Sequence, residues 1–284
     1  MLWRRIERVV DPEVVIEGAG VRLRRSIGTR SLDQLDPFLL LDHFVSTDPQ
    51  DYRAGFPWHP HRGMETVTYV LSGVIRHRDT LGNSGSIGAG EVQWMTAGRG
   101  ILHEEMPEVR PEGIDGFQLW VNLPARLKMT APRYQNIPAR DIPELRRDDG
   151  TCIRVIAGTV EEARGPISGI AVDPLYLDIF LPPQAVFIHP ITPGHNAFSY
   201  IYDGQALWGG EGASFSSPRL IVWGDGEAIM VRTEEGPVRF LLVAGRPLNE
   251  PVVRYGPFVM STWEEIEETL RELREGTFAG KDSG

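Results

Sequence analysis

The sequence contains very little cysteine: Cys152 is the single cysteine among 284 residues. One thiol excludes a disulfide within the chain, and it excludes zinc or iron–sulfur sites that need several cysteines. Long apolar runs are missing too, because no stretch approaches the roughly 20 residues of a membrane-spanning helix. Residues 1–13 are charged throughout and lack the apolar centre of a signal peptide. We therefore expect a cytoplasmic protein without a membrane anchor.

Positive charge is also scarce, with 29 lysines and arginines against 39 aspartates and glutamates, and a net charge of -10. This balance argues against a broad electrostatic surface for nucleic acid. The charge balance therefore favours a protein partner over direct contact with nucleic acid. Glycine (31) and proline (22) are plentiful, as is typical of many short strands joined by tight turns.

Two long stretches of the chain share one rhythm of short, alternating strands. Residues 65–77 resemble residues 196–208, with Gly73 aligned to Gly204. This weak internal repeat predicts two copies of one all-β module. A polar, proline-containing stretch at 136–150 predicts a linker, which gives an N-terminal domain at 1–135 and a C-terminal domain at 151–284.

The end of the chain predicts an amphipathic helix at about 262–275. Thr262 and Glu265 have the spacing of a capping box, and Gly276 is a stop signal. Four residues form an apolar stripe: Trp263, Ile266, Leu270 and Leu273. We expect the helix to pack on the protein's own surface.

The segment GFPWHPHRGME at 55–65 places two of the chain's seven histidines one residue apart. Pro60 between them disfavours a helix, and the residues that follow are rich in β-formers. In a strand, His59 and His61 point to the same face. Two imidazoles on one face are typical of metal ligands.

A second pair, His103 and Glu105, has the same spacing in TAGRGILHEEMPE at 96–108. Three imidazoles and a carboxylate would form a ligand set for a divalent transition metal, with two positions open on a six-coordinate ion. Glu65 lies four residues after His61 on the same predicted strand face. It could replace Glu105 as a metal ligand, or it could hydrogen-bond to the ligands without binding the metal. The spacing leaves both alternatives open.

The remaining histidines are predicted to be ordinary core or surface residues: His43, His77, His189 and His195. The repeat offset aligns the three candidate ligands with Pro190, Thr192 and Glu234. None of these is a histidine, so we expect the second module to lack a metal centre.

Four segments carry a resemblance to a known family: GFPWHPHRGMETVTYVLSG, GEVQWMTAGRGILHEEMP, GFQLWVNLP and AGRPLNEPVVRYGPFVM. They resemble the pirin family of the cupin superfamily. The resemblance implies an all-β bicupin of two antiparallel jelly-roll barrels, with metal in the N-terminal barrel. It also implies a mononuclear metal bound by His59, His61, His103 and Glu105.

The metal implied is iron, most simply Fe(II), although Mn, Co, Ni, Cu and Zn suit the same donors. General cupins use the glutamate at the position of Glu65 as a ligand. Their second motif, Pro-x-Gly-x-x-His, becomes GRGILH here, with Gly98 in place of the proline. The choice of Glu105 over Glu65 therefore rests on the family resemblance.

Three functions are compatible with this resemblance. The first is a quercetin 2,3-dioxygenase-type oxygenase that opens a flavonol-like ring with O₂, with Glu105 as the catalytic base. It predicts a cavity for a flat polyphenol, with Trp94, Met95 and Trp120 as candidate walls. The second is a non-enzymatic, iron-dependent redox sensor that binds a protein partner. The third is another metal-dependent cupin reaction, such as isomerisation.

Overall fold

The computed structural model describes residues 2–278, and most of its regular structure is β-strand. The strands of the first half are β1 (Ile6–Val10), β2 (Glu13–Glu17), β3 (Val21–Ile27), β4 (Phe38–Ser46), β5 (Phe56–His61), β6 (Met64–Ser72), β7 (Ile75–Asp79), β8 (Ser84–Ile87), β9 (Val92–Thr96), β10 (Ile101–Pro107), β11 (Ile114–Asn122) and β12 (Arg133–Ile137).

The strands of the second half are β13 (Glu144–Arg146), β14 (Cys152–Ala157), β15 (Thr159–Val160), β16 (Ala163–Arg164), β17 (Leu175–Leu181), β18 (Val186–Pro190), β19 (Asn196–Trp208), β20 (Ala213–Ser216), β21 (Arg219–Trp223), β22 (Ala228–Arg232), β23 (Val238–Gly245), β24 (Val253–Tyr255) and β25 (Phe258–Met260). The helix α1 spans Trp263–Glu275, and single 3-10 turns cover Pro49–Asp51, Ala125–Leu127 and Ala139–Asp141. The strands pair antiparallel, so the predicted all-β class with a C-terminal helix is confirmed.

The strands form two compact units, and neither unit is one continuous stretch of sequence. The histidine unit contains residues 14–28, 38–139 and 248–278 of the described chain, and the second unit contains residues 2–13, 29–37 and 140–247. The predicted boundaries, 1–135 and 151–284 around a linker at 136–150, differ from this division at both ends of the chain. The difference arises because β1 pairs with β21, while the segment after residue 247 packs within the histidine unit.

Two antiparallel sheets form the histidine unit, one ordered β12-β9-β6-β11-β4-β3-β2 and the other β5-β10-β7-β8. Alternate residues of β7 and β10 are buried, as the period-2 geometry of a strand with one covered face predicts. The central strands β4, β6 and β9 are instead buried at nearly every position. An apolar cluster joins the two sheets; its buried members are Val21, Leu23, Phe44, Tyr52, Val70, Ile75, Ile87 and Ile114.

The second unit contains a ten-stranded sheet whose main path is β1-β21-β19-β23-β17-β14-β13. Its interior is a continuous apolar cluster built around large aromatic rings. Phe240 makes edge contacts with Phe187 and Trp208, with ring centroids 5.7 and 5.0 Å apart. Aromatic packing therefore fills this interior.

Helix α1 lies in the histidine unit and has a complete capping box. The side chain of Thr262 accepts from Glu265 N, and the Glu265 carboxylate accepts from Thr262 N at 3.1 Å. Gly276 ends the helix in the left-handed conformation, with φ 70°. The predicted bounds and both end signals are confirmed.

The apolar face of α1 packs on the β24–β25 hairpin, as predicted for a helix on the protein's own surface. Ile266 and Leu270 contact a cluster that contains Phe258, Met260 and Phe278. Trp263 and Leu273 of the predicted stripe remain exposed, because the contact face centres on Ile266 and Thr269 instead. Within residues 2–278, no helix is both long enough and apolar enough to cross a bilayer.

Substitution Thr262→Ala should lower the free energy of unfolding by about 1 kcal/mol, because it removes the side-chain acceptor of the cap. Urea denaturation measures this change. Thr262→Ser should retain most of the stability, and Glu267→Ala at an exposed position of the same helix serves as the control. Equal stability of Thr262→Ala and wild type would contradict a stabilising role for the cap.

Candidate metal centre

The register between β5 and β10 brings the three candidate histidines together. His59 lies opposite His103, and His61 lies opposite Ile101. The ring centroids are 4.8 Å apart for His59 and His61, 4.4 Å for His59 and His103, and 5.1 Å for His61 and His103. One potential ligand atom from each ring lies within 4.8 Å of the other two. We call these three rings the imidazole cluster.

Several ring nitrogens of the imidazole cluster are buried without a hydrogen-bond partner. They are Nδ1 of His61 and both Nδ1 and Nε2 of His103. The more exposed His59 has Nδ1 2.9 Å from the Pro57 carbonyl, which leaves Nε2 as the acceptor when Nδ1 carries the proton. A metal-binding imidazole commonly donates its other N–H to a carbonyl in this way. Unpaired buried polar atoms are costly, so the cluster has the character of a binding site.

Burial keeps two of these imidazoles neutral. It holds the pKa of His61 well below the ordinary value, and the neighbouring His59 and His103 lower it further. Burial also lowers the pKa of His103 to about 4, although Glu105 acts in the opposite direction. At neutral pH both rings are therefore in the uncharged form that binds a metal. Three imidazoles fit a divalent first-row transition metal.

The Glu105 carboxylate is buried next to the imidazole cluster but is not one of its three members. It accepts hydrogen bonds from Thr68 Oγ1 at 3.1 Å and from Gln118 Nε2 at 3.1 and 3.3 Å. Burial acts to raise the pKa of Glu105. The nearby imidazoles of His103 and His59, together with these hydrogen bonds, outweigh burial and lower it.

Two other glutamates near the motifs lie outside the imidazole cluster. Glu65 is buried on β6 and accepts a hydrogen bond from Thr96 Oγ1 at 2.6 Å. Burial raises the pKa of Glu65, although the hydrogen bond from Thr96 opposes it. Glu104 points away from the cluster, as strand alternation predicts, and pairs with Arg78.

A narrow cavity of about 20 Å³ ends on Glu105, Thr68 and Gln118. Side chains such as Phe44 and Phe56 make most of its other walls apolar. This volume admits only one or two water molecules. None of the three histidines lines this cavity, so it is not the space over the imidazole cluster that was predicted for a flat polyphenol.

The three predicted wall residues do not line this cavity. Trp94 and Met95 are fully buried core residues. The Trp120 ring instead makes an edge contact with His61, with centroids 5.2 Å apart. Its indole Nε1 donates to Gln118 Oε1 at 3.4 Å. Trp120 therefore contacts Gln118, which in turn binds Glu105.

The repeat offset misplaced the corresponding positions of the second unit. Pro190, Thr192 and Glu234 are all exposed there. The inward positions of the paired strands β18 and β22 include Phe187 and His189 on one strand, and Ile229 and Val231 on the other. The offset was taken from the alignment of residues 65–77 with 196–208. It was wrong because the connection before the aligned strand is longer in the second unit, with five residues between β18 and β19 and two between β5 and β6.

The single histidine at these inward positions, His189, stacks on the Phe187 ring with centroids 6.1 Å apart. Burial lowers the pKa of His189 to about 4, and Arg147 lowers it further. In the histidine unit, His43 lies 2.9 Å from an Asp115 carboxylate oxygen, and His77 lies 3.0 Å from Gln93 Nε2. His43 and His189 thus have the packing or hydrogen-bond partners expected of ordinary residues, whereas His77 also has a buried Nδ1 without a hydrogen-bond partner.

Sequence reasoning missed Thr68 and Gln118 as site residues. Both lie on adjacent central strands, where they are directly opposite each other. The available signal was a polar side chain in an otherwise apolar strand, since buried polar groups need partners. That signal shows that a partner exists, but it does not identify Glu105 as the partner.

Stability of the metal-free protein should fall as the pH drops from about 6.5 to 4. In that window the unfolded chain protonates His103, whereas the folded chain keeps it neutral, so the unfolded state binds more protons. The full shift is worth about 3 kcal/mol for this residue. Urea denaturation at a series of pH values should give a shallower slope for His103→Gln than for wild type. Parallel slopes for the two proteins would contradict the lowered pKa.

Comparison with known proteins places this geometry in a family. A family model described as Pirin matches residues 20–121, and one described as Pirin C-terminal cupin domain matches residues 176–279. A pirin-like protein of Caulobacter vibrioides is 45% identical over 97% of this chain and 99% of its own length. A Pseudomonas aeruginosa protein provisionally named quercetin 2,3-dioxygenase is 45% identical over 93% of this chain and 94% of its own.

A solved structure of a quercetin 2,3-dioxygenase from Acinetobacter baumannii is also similar to this chain. It superposes with a TM-score of 0.87 and 33% sequence identity, over 98% of this chain and 99% of that one. Both cupin models, the curated relatives and this structure agree with the fold described above. The chain therefore belongs to the pirin family and is a bicupin.

Proposed function

We propose that this pirin binds one mononuclear divalent metal through His59, His61 and His103, with Glu105 as a fourth ligand. We further propose that it is a quercetin 2,3-dioxygenase-type oxygenase. The observation that carries the metal proposal is the imidazole cluster, with its buried and unpaired ring nitrogens. The names of two similar proteins support the reaction type.

The proposed metal is Fe(II), and the same donors also suit Mn, Co, Ni, Cu or Zn. When bound, such an ion supplies Lewis-acid polarisation of a substrate oxygen and electron transfer toward dioxygen. The protein supplies the donor atoms and a deprotonated carboxylate next to them. Electrostatics favours Glu105 over Glu65 as the fourth ligand, because Glu105 is the carboxylate whose charge acts on His103.

Glu105 is the proposed catalytic base. Its lowered pKa keeps the carboxylate ionised at neutral pH, so that it can accept the proton of a flavonol hydroxyl. It lines the narrow cavity, whose walls include none of the three histidines, and it lies close enough to His103 for their charges to interact. The same carboxylate can therefore face either a metal or a substrate hydroxyl.

Thr68 and Gln118 hold this carboxylate in place. Gln118 contributes the most, since its Nε2 contacts both carboxylate oxygens of Glu105. Its amide is oriented by Trp120, which donates to the amide oxygen and so leaves the amide nitrogen for Glu105. Orientation of this kind limits the positions that the base can adopt.

A second candidate function, an iron-dependent regulator that binds a protein partner, is favoured by two observations. The cavity of about 20 Å³ does not accommodate a flavonol without rearrangement. In addition, Gln118 lies opposite Asp42, which binds the Arg25 guanidinium at 2.7 and 2.8 Å, and Arg25 binds the exposed Glu17 at 2.7 Å. Polar side chains therefore occupy neighbouring strand positions from Gln118 to the exposed Glu17, and Gln118 and Asp42 are joined by strand pairing, with no hydrogen bond between their side chains. In the regulator, a change of charge at the site would act along this polar row on a partner bound near Glu17.

Reconstitution with Fe(II) under anaerobic conditions, followed by quercetin and then oxygen, tests the enzymatic proposal. We expect oxygen-dependent loss of flavonol absorbance with release of carbon monoxide. His59→Ala should lose bound iron and turnover together. Glu105→Gln should retain most of the iron, and its turnover should fall by about 100-fold or more.

Metal content of every protein in this assay is measured by elemental analysis. Wild type that retains iron and leaves quercetin unchanged would reject flavonol dioxygenation and favour the regulator. Turnover without oxygen would instead indicate another cupin reaction, such as isomerisation.

Gln118→Met removes the hydrogen bonds to Glu105 while keeping a side chain of similar length. A hydrogen bond to a charged group is worth about 1.5–3 kcal/mol, so turnover should fall by roughly 10-fold to 100-fold. The matched control is Gln205→Met at an exposed strand position of the second unit. Wild-type turnover in Gln118→Met would show that Glu105 does not depend on this amide.

A further inference from the structure

The Arg62 guanidinium, one residue after His61, joins three parts of the histidine unit. Its Nε donates to the Arg99 carbonyl at 2.6 Å, Nη1 donates to Thr269 Oγ1 at 3.1 Å, and Nη2 donates to Glu272 at 2.5 Å. The Arg62 side chain is only 3% exposed. These contacts tie a loop residue, a helix hydroxyl and a helix carboxylate to one buried charge.

Two of the joined parts are the ends of the strands that carry the imidazoles. Arg62 directly follows β5, and Arg99 lies in the loop that leads into β10. At this end of the pair, His61 lies opposite Ile101. One guanidinium therefore connects both histidine-bearing strands at the same end.

The third part is the C-terminal helix. Thr269 and Glu272 are three residues apart on α1, so they share one helix face. The Phe278 ring, just beyond the helix, packs 4.6 Å from the Arg62 guanidinium carbon. Arg62 is therefore surrounded in part by residues that lie more than 200 positions later in the sequence.

The hairpin before this helix contacts the backbone on both sides of Arg62. The Pro257 carbonyl accepts from Arg62 N at 3.4 Å and also forms a hydrogen bond with the His61 ring. Val259 N donates to the Arg62 carbonyl at 3.0 Å. A carbonyl that contacts a ligand imidazole is the usual means of fixing that ring's orientation.

A buried lysine fixes the next residue in the same way. Lys128 Nζ donates to Gly63 O at 2.9 Å, to Val259 O at 2.9 Å and to Asn122 Oδ1 at 2.8 Å. Gly63 has φ +78°, and a Cβ there would lie 2.0 Å from Val259 O. The chain at residues 61–63 is therefore held against the C-terminal hairpin with no room for a side chain at Gly63.

We propose that Arg62 is a positioning residue for the metal centre. Together with Thr269 and Glu272 of α1, it holds β5 and β10 at the spacing that lets the imidazole cluster converge on one ion. This inference rests on the proposed metal site. Loss of the guanidinium would remove the donor to the partly exposed Glu272 carboxylate and to the Arg99 carbonyl, and the end of β5 that carries His61 would gain freedom.

Cobalt(II) provides the probe, because its visible absorption reports ligand geometry and a competing chelator gives its affinity. Arg62→Met should weaken Co(II) binding by about 10-fold to 100-fold and change the absorption spectrum. Thr269→Val and Glu272→Gln should each weaken binding by a smaller factor, of about 3-fold to 10-fold.

Two controls should behave as wild type. Thr269→Ser retains the hydroxyl that binds Arg62. Glu267→Gln lies at an exposed position of the same helix. Thermal unfolding of the metal-free proteins is measured alongside, since it reports simple loss of helix packing.

Unchanged Co(II) affinity and spectrum in the variants, with a lowered unfolding temperature, would mean that Arg62 only fixes the helix and would overturn the proposal. If Arg62→Met does not fold, the comparison of Thr269→Val with Thr269→Ser decides. Wild type should bind one Co(II) and His59→Ala none, which tests the metal site separately. Wild type that binds no Co(II) would overturn both proposals.

Discussion

The pairing of His59 with His103 across β5 and β10 is the constraint on which the candidate site depends. A slip of one residue in this register would turn His103 outward and bring Glu104 inward. β10 also pairs with β7 along its other edge, where Glu105 lies opposite His77. This second pairing opposes the slip. A bulge between His103 and Glu105 shifts the pairing with β5, so the regular register with β5 does not continue from the histidine to the carboxylate.

The imidazole cluster makes the surrounding unit less stable than an apolar core would. Each buried nitrogen without a partner costs about 1–3 kcal/mol. A bound metal would remove that cost, so metal affinity and folding stability are coupled in this unit. Until an ion binds, the geometry depends on neighbours, including the hydrogen bonds of Arg62 and Lys128, that keep the rings close together.

Local patterns predicted the parts of this structure that local geometry controls. The i, i+2 spacing of His59 and His61 was sufficient because strand alternation is a short-range property. The cap at Thr262 is short-range as well. The roles of Thr68 and Gln118, and the return of residues 248–278 to the histidine unit, depend on which strands become neighbours. The amino-acid pattern alone does not show which distant strands pair, so these features were not predicted.

The two proposed functions place different demands on the surroundings of Glu105. Turnover of a flavonol needs space next to this carboxylate, so the cavity of about 20 Å³ must widen or the substrate must approach by another face. Regulation needs no space there, because the row from Gln118 through Asp42 and Arg25 already leads to the surface. The hydrogen bond from Gln118 to Glu105 matters for both proposed functions. In the enzyme it fixes the base, and in the regulator it is the first contact of the polar row. An enzyme and a sensor could therefore share this site and differ in whether the cavity opens.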